Sequence, residues 1–200
     1  MRHNTNKIQW CPGCWNYLIH IAIKQALTEL NISPKNTVII TWIGCNSKMS
    51  QYLEWYGAES LHWRWIPFAI GVKLSNPKLT VISLSWDWDT YWIGIGHLIH
   101  AVRRNVQILH ITCDNENYAL TTWQASATTP MGVITKSTPK WNDLPPLHPI
   151  KLVETAWCNF VKSIPWSDLN LIKETIKAAV QHKWFSHINI QQACPSWKRW

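Results

Sequence analysis

Apolar residues along the chain fall into two kinds of run. Short, mostly β-branched blocks predict buried strands at 37–41 (TVIIT), 79–85 (LTVISLS), 106–112 (VQILHIT) and 186–190 (SHINI). Between them, apolar positions recur at helical spacing. These predict helices at 16–31, at 66–77 (stopped before Pro77), at 90–104, at 149–156 and at 167–182. Residues 114–149 carry TTP, STPK and LPPLHP and read as loop. Strands that alternate with helices predict an α/β fold, a parallel sheet with helices on both faces. No internal repeat or linker divides it, so one domain over 1–200 is expected. Ligands on such sheets gather beyond the carboxyl ends of the strands. The polar candidates follow those ends: Cys45, Asp87 and Asn115.

Composition narrows the class. Of 200 residues, 46% are hydrophobic, which excludes a disordered chain. No apolar run is long enough to span a bilayer, and the start MRHNTNKIQW lacks the apolar core of a signal peptide. A cytoplasmic protein is expected, with no membrane association. The formal charge of +8 admits a nucleic acid, an anionic cofactor or an acidic protein as partner. Its cations are scattered, with no run beyond Arg103-Arg104, which argues against nucleic acid. The anomaly is 16 tryptophans against 7 glycines, when glycine averages about 7% of a chain.

Two constellations carry chemistry. Cys11 and Cys14 in CPGC have the spacing of a zinc ribbon, an iron–sulfur cluster or a redox disulfide. A second CxxC, which zinc would favour, is absent. Single cysteines recur instead at Cys45 in WIGCN and Cys194 in ACPSW, which suits a cluster held between loops; Cys113 and Cys158 sit in apolar settings and read as buried thiols. The other constellation is Asp87 with Asn115, each after a strand and one crossover apart. A carboxylate and an amide oxygen are hard ligands, suited to Mg²⁺ shared with a phosphate. The bland alternative makes Asp87 a helix cap and Asn115 a turn residue.

At this point the chain resembles a family, the β subunits of 2-oxoacid:ferredoxin oxidoreductases, from about Trp10 to Cys194. The carrying motifs, in order, are WCPGCWNY, WIGCNS, LHWRWIPFAIGVKLSNP, SWDWD, CDNENYALTTWQASATTP and HKWFSHINIQQACP. The departures share one pattern. Trp15, Trp42, Trp63, Trp86, Trp88, Trp123 and Trp184 stand where the family has glycine. Trp55, Trp65, Trp92, Trp141 and Trp157 sit where glycine would be natural, Trp166 is undecided, and Trp10, Trp197 and Trp200 read as ordinary tryptophans. UGA is read as tryptophan in some genetic codes and as glycine in certain bacterial lineages, so a gene whose UGA codons mean glycine accounts for the pattern. The rival is real Gly→Trp replacement. Tryptophan at 86 and 88 would fill the diphosphate space and exclude turns of positive φ. UGG codons at 86, 88 and 123 would end the glycine reading.

The resemblance implies a thiamine diphosphate-binding fold. Asp87 and Asn115 would hold Mg²⁺ through side chains and Asn117 through its backbone carbonyl. The backbone at Trp86 and Trp88, with Asp89, would face the diphosphate, and Gln124, Ser126 and Thr128 would line the loop beyond the metal. Asn16 would meet the cofactor, and His62 and Arg64 would lie near the cofactor or the substrate carboxylate. Cys11, Cys14, Cys45 and Cys194 would ligate a 4Fe–4S cluster. The implied reaction is oxidative decarboxylation of a 2-oxoacid, 2-oxoglutarate or pyruvate, to an acyl-coenzyme A, with electrons leaving to ferredoxin. The implied partners are an α subunit, which supplies the glutamate that activates the cofactor, and ferredoxin. Family chains continue past the point matching Trp200, so a C-terminal part is expected to be lacking. A non-redox thiamine-dependent decarboxylase would leave the four cysteines unused. A basic, tryptophan-rich zinc module for nucleic acid would not explain the ordered motifs.

Overall fold

A computed structural model describes residues 7–197; Trp200 lies outside them. In chain order the elements are α1 (Asn16–Glu29), β1 (Thr37–Thr41), α2 (Met49–Tyr52), β2 (Tyr56–Glu59), α3 (Trp65–Ser75), β3 (Thr80–Trp86) and α4 (Ile95–Arg104). Then come β4 (Leu109–Asp114), β5 (Asn117–Tyr118), β6 (Gln124–Ala125), α5 (Pro149–Thr155), β7 (Phe160–Pro165), α6 (Leu169–Gln181) and β8 (Ser186–Gln191). Six strands form one parallel sheet in the order β2-β1-β3-β4-β8-β7, and β5 and β6 make a small antiparallel hairpin. The central strands β3, β4 and β8 are buried almost throughout, as a sheet covered on both faces requires. Helices α1 and α6 pack on each other, and α4 packs on α3 and α5.

The alternation expected from the sequence is present, with four corrections. Edge strands β2 and β7 were not anticipated. YGAE is mostly exposed, and FVKSIP is only partly buried, so neither carries the apolar density of a central strand. The third strand starts at Leu109 rather than residue 106, because a tight turn from Val106 to Ile108 precedes it (Ile108 N–H to Val106 O, 2.7 Å). The helix expected from 90 begins as a π-helical turn, Asp89–Ile93, before α4. Finally, α1, α3 and α6 end one or two residues inside their expected bounds.

Pairing places like residues side by side on β3, β4 and β8. Ser83, His110 and His187 form one row across the three strands, and Ser85, Thr112 and Asn189 form the next. The alternate rows, Leu84-Ile111-Ile188 and Trp86-Cys113-Ile190, are apolar. One face of the central sheet is therefore polar though buried. Most of its groups are satisfied internally, His187 Nδ1 excepted: Ser83 Oγ meets His110 Nδ1 at 2.7 Å, and Tyr91 and Thr90 reach down from the π-helical turn.

Candidate functional site

Asp87 directly follows β3, and Asn115 directly follows the adjacent β4. The Asn115 N–H donates to Asp87 Oδ1 at 3.3 Å, so the two residues meet as the sequence suggested. Asp87 is fully buried. Its Oδ2 accepts from the Ser126 hydroxyl and lies 3.1 Å from that of Thr128. Asn115 Oδ1 accepts the Asn117 N–H at 3.2 Å, and Asn117 Nδ2 donates to the Asn115 carbonyl at 2.8 Å. Asn117 Oδ1 is buried without a partner. Gln124 bonds within its own turn, donating to the Thr121 carbonyl at 3.1 Å.

Asp114, which the motif reading passed over, sits behind this pair. It accepts from Thr128 Oγ1 at 2.7 Å, from the Glu116 N–H at 3.3 Å and from Asn189 Nδ2 at 3.2 Å. Asn189 accepts from Tyr91 Oη at 2.7 Å, and Tyr91 Oη in turn receives His187 Nε2–H at 2.9 Å. A run of hydrogen bonds thus passes, donor to acceptor, from His187 through Tyr91 and Asn189 to Asp114.

Charge at this place is unbalanced. Burial and the Asp114 carboxyl push Asp87 well above the ordinary carboxylate range. Burial raises Asp114 as well, and it pushes Asp89 up to about 9. Both Asp89 oxygens are buried without a partner, the Trp63 N–H lying near without completing a hydrogen bond. No lysine or arginine among the described residues pairs with any of the three. Buried carboxyls without cations are costly, and a bound divalent ion with oxygen ligands offsets that cost. The donor set here, a carboxylate with amide and carbonyl oxygens, fits Mg²⁺.

The four singled-out cysteines converge. Cys11 and Cys14 flank a turn closed by the Cys14 N–H to the Cys11 carbonyl at 3.0 Å, with Pro12 at its second position and Gly13 at φ +76° in its third. Cys45 follows β1 and Cys194 follows β8, and all four line one cavity of about 250 Å³ with Trp10, Trp86, Asn115 and Gln192. Burial, and then the neighbouring thiols, push Cys14 up to about 11. Among the described residues no three His, Cys, Asp or Glu side chains come close enough to hold a single metal ion. A lone zinc would draw its sulfurs to about 3.8 Å from one another, given Zn–S bonds near 2.3 Å. Four thiols around a cavity fit a polynuclear cluster instead. All six cysteines are free thiols.

Residues 42–190 match the model of the thiamine pyrophosphate enzyme family, C-terminal TPP binding domain. The 2-oxoglutarate synthase subunit KorB of Archaeoglobus fulgidus is 33% identical over 95% of this chain and 71% of its own length. The chain belongs to the β-subunit family of the 2-oxoacid:ferredoxin oxidoreductases. The β subunit of the 2-oxoacid:ferredoxin oxidoreductase of Saccharolobus solfataricus is 42% identical over 94% of this chain. The present chain spans 62% of that relative's length. A solved 2-oxoglutarate:ferredoxin oxidoreductase from Magnetococcus marinus, with 2-oxoglutarate, coenzyme A and succinyl-CoA bound, superposes with a TM-score of 0.95 at 30% identity, over 98% of this chain and 67% of that one.

In this β-subunit fold the remaining expected site residues, Asn16, His62 and Arg64, are not among the hydrogen-bond partners of Asp87, which are Asn115, Ser126 and Thr128. Asn16, the first residue of α1, is fully buried; its Oδ1 accepts from Gln192 Nε2 at 3.3 Å and its Nδ2 is unpartnered. His62 packs against Trp42 with centroids 4.7 Å apart, and its Nδ1 is buried and unpartnered. Arg64 donates to His97 Nε2 at 2.8 Å and lines an open depression with Ile43, Leu61 and Phe68.

The tryptophans divide by cause of strain, and this corrects one expectation. Trp88 is right-handed (φ −55°) and Trp86 closes a strand, so positive φ is not the obstacle there. The obstacle is volume. The Trp86 indole stands against Gly44, where an added Cβ would lie 3.0 Å from its Nε1, and Trp88 stacks on Tyr118 at 4.2 Å. Positive φ occurs instead at Trp63 (62°), Trp123 (76°) and Trp157 (73°). Trp63 is the third residue of a turn closed by the Arg64 N–H to the Leu61 carbonyl at 3.1 Å, with only that residue left-handed, the arrangement that selects glycine. The indole N–H groups of Trp42, Trp63 and Trp65 are buried without partners.

Proposed function

We propose that this chain is the thiamine diphosphate-binding β subunit of an enzyme that oxidatively decarboxylates a 2-oxoacid to an acyl-coenzyme A and delivers electrons to ferredoxin. The observation that carries the reading is the meeting of Asp87 and Asn115 at the ends of adjacent strands, with Asn115 also lining the four-cysteine cavity. Asp87, Asn115 and the Asn117 carbonyl would hold Mg²⁺, which would supply positive charge for the cofactor's diphosphate. Ser126 and Thr128 orient the Asp87 carboxylate by hydrogen bonds, a closer role than lining the loop beyond the metal. Asp89 and Gln124 complete the cofactor side. Bound thiamine diphosphate supplies the carbanion chemistry of decarboxylation. His62 and Arg64, on one turn, meet the substrate, with Arg64 pairing its carboxylate. Cys11, Cys14, Cys45 and Cys194 hold a 4Fe–4S cluster for electron exit. 2-Oxoglutarate is the favoured 2-oxoacid, since the Magnetococcus marinus relative is a 2-oxoglutarate enzyme. An α subunit completes the active site. The cytoplasm is the compartment, as four thiol ligands need reducing conditions; among the described residues no helix is long and apolar enough to cross a membrane.

This reading includes glycine at 63, 86, 88 and 123. Glycine at 86 and 88 leaves bare backbone for close approach of a diphosphate. Peptide masses of the native protein test it: tryptophan at 86 and 88 in the natural host overturns it.

The function is tested on the glycine-bearing chain assembled anaerobically with its α subunit. Asp87→Asn should weaken Mg²⁺-dependent thiamine diphosphate binding at least tenfold, read by calorimetry. Cys45→Ser should lose iron and 2-oxoacid-dependent ferredoxin reduction while keeping the cofactor. Purified protein with zinc and no iron, or Asp87→Asn binding as tightly as the parent, overturns the reading.

A further inference from the structure

Cys194 begins a short turn, closed by the Trp197 N–H to the Cys194 carbonyl at 3.1 Å. Pro195 presets its second position, and Ser196 occupies the third. From there Ser196 Oγ donates to Cys11 Sγ at 3.3 Å, linking thiols 183 positions apart in sequence across the mouth of the cavity. The backbone N–H groups of Ser196 and Trp197 also face Cys194, and that of Asn16 faces Cys14. The Ser196 hydroxyl is thus a side-chain donor to one of the four cavity cysteines. The cavity wall beside it is largely apolar, with Trp10, Trp86, Ala119 and Leu120. Cys11 and Ser196 are both exposed, so this hydrogen bond lies at the solvent edge of the cavity.

We propose that Ser196 is a tuning residue for the four-cysteine centre: its hydroxyl, bonded to Cys11 Sγ, holds the cluster's reduction potential up. The proposal rests on the cluster reading above. A donor to a ligating sulfur stabilises the more electron-rich, reduced state, so its removal lowers the potential. Lys48, which lines the same cavity, acts in the same direction by charge.

The test uses the α-subunit complex of the glycine-bearing chain, reconstituted anaerobically, with the midpoint potential read by EPR-monitored redox titration and iron measured in parallel. Ser196→Ala and Ser196→Val should bind as much iron as the parent and titrate at a more negative potential. Ser196→Thr, which keeps the hydroxyl, should titrate with the parent. Full iron and an unshifted potential in both Ser196→Ala and Ser196→Val overturn the tuning role alone. A parent complex that takes up no iron overturns the cluster reading itself.

Discussion

Trp157 shows at single-residue scale how strongly backbone geometry constrains identity. Helix α5 ends with the Trp157 N–H on the Glu154 carbonyl at 2.8 Å and the Cys158 N–H on the Val153 carbonyl at 3.2 Å. This paired closure places a left-handed residue just past the helix, usually glycine. Helix α1 closes in the same way on Asn31, a residue that tolerates φ > 0. Trp157 holds φ 73° while 87% exposed, so its indole recovers little burial energy in return. A left-handed bulky residue costs about 1–2 kcal/mol, and glycine gives back about 0.5–1 in chain entropy. Trp157→Gly is therefore expected to stabilise the chain by about 1 kcal/mol. The check is the denaturant midpoint, which should rise with unchanged slope. Trp123→Gly should act in the same direction, since Thr122 and Trp123 are both left-handed in the loop between β5 and β6. These strains were invisible in the sequence, where tryptophan at 157 was only a plausible glycine. Asp114 and Ser196 escaped for another reason: nothing in a neighbour-by-neighbour reading says which sulfur or hydroxyl a side chain reaches.

At the scale of elements, the buried histidines in the polar rows of β3, β4 and β8 weaken the fold in acid. His187 lies in the core and burial pushes it down to about 3; His110 beside it is lowered well below its ordinary 6.5 by burial and by His187. Their folded values lie below their unfolded ones, so the unfolded chain binds more protons as pH falls through 6.5. Stability is then present above that pH and is lost below it, by about 1.4 kcal/mol per unit for each histidine. His187→Gln should remove about one such slope from the unfolding profile measured between pH 7 and 4, while the buried Asp87, Asp89 and Asp114, raised by burial, act in the opposite direction in both proteins. The helices and central strands were legible because β-branched density and period 3.6 mark them. Edge strands β2 and β7 were not, since a strand half in solvent has no apolar excess to display. The polar rows had a legible trace in SLS, HIT and HIN, where polar residues alternate with isoleucine or leucine. That period of two gives the face but not its partner.

At the scale of the whole molecule, the parallel order β1-β3-β4-β8 gathers four loops at one end. Those loops bring Cys45, Asp87, Asn115 and Cys194 together, while the turn before α1 adds Cys11 and Cys14. Arg64 opens onto a depression beside Leu61, which is 73% exposed, and Phe68, also exposed. The single chain thus leaves its proposed substrate side open to solvent. Adding the α subunit should tighten thiamine diphosphate binding at least tenfold over the isolated glycine-bearing chain, since closure removes water from the charged site. Equal affinity with and without the α subunit would show that the site is complete in this chain.

Sequence alone determined the alternation of strands and helices, the parallel sheet, and the family, because periodicity and motif order are properties of a line. It named Asp87, Asn115 and the four cysteines by residue type and position after strand ends. Only the tertiary structure decided what those residues face: Thr128 and Asn189 on Asp114, Ser196 on Cys11, and the thiols around a cavity rather than a point. It also decided where glycine is demanded by backbone and where by volume. Such facts depend on pairing order and loop direction, which join residues far apart in the chain and leave no local mark upon it.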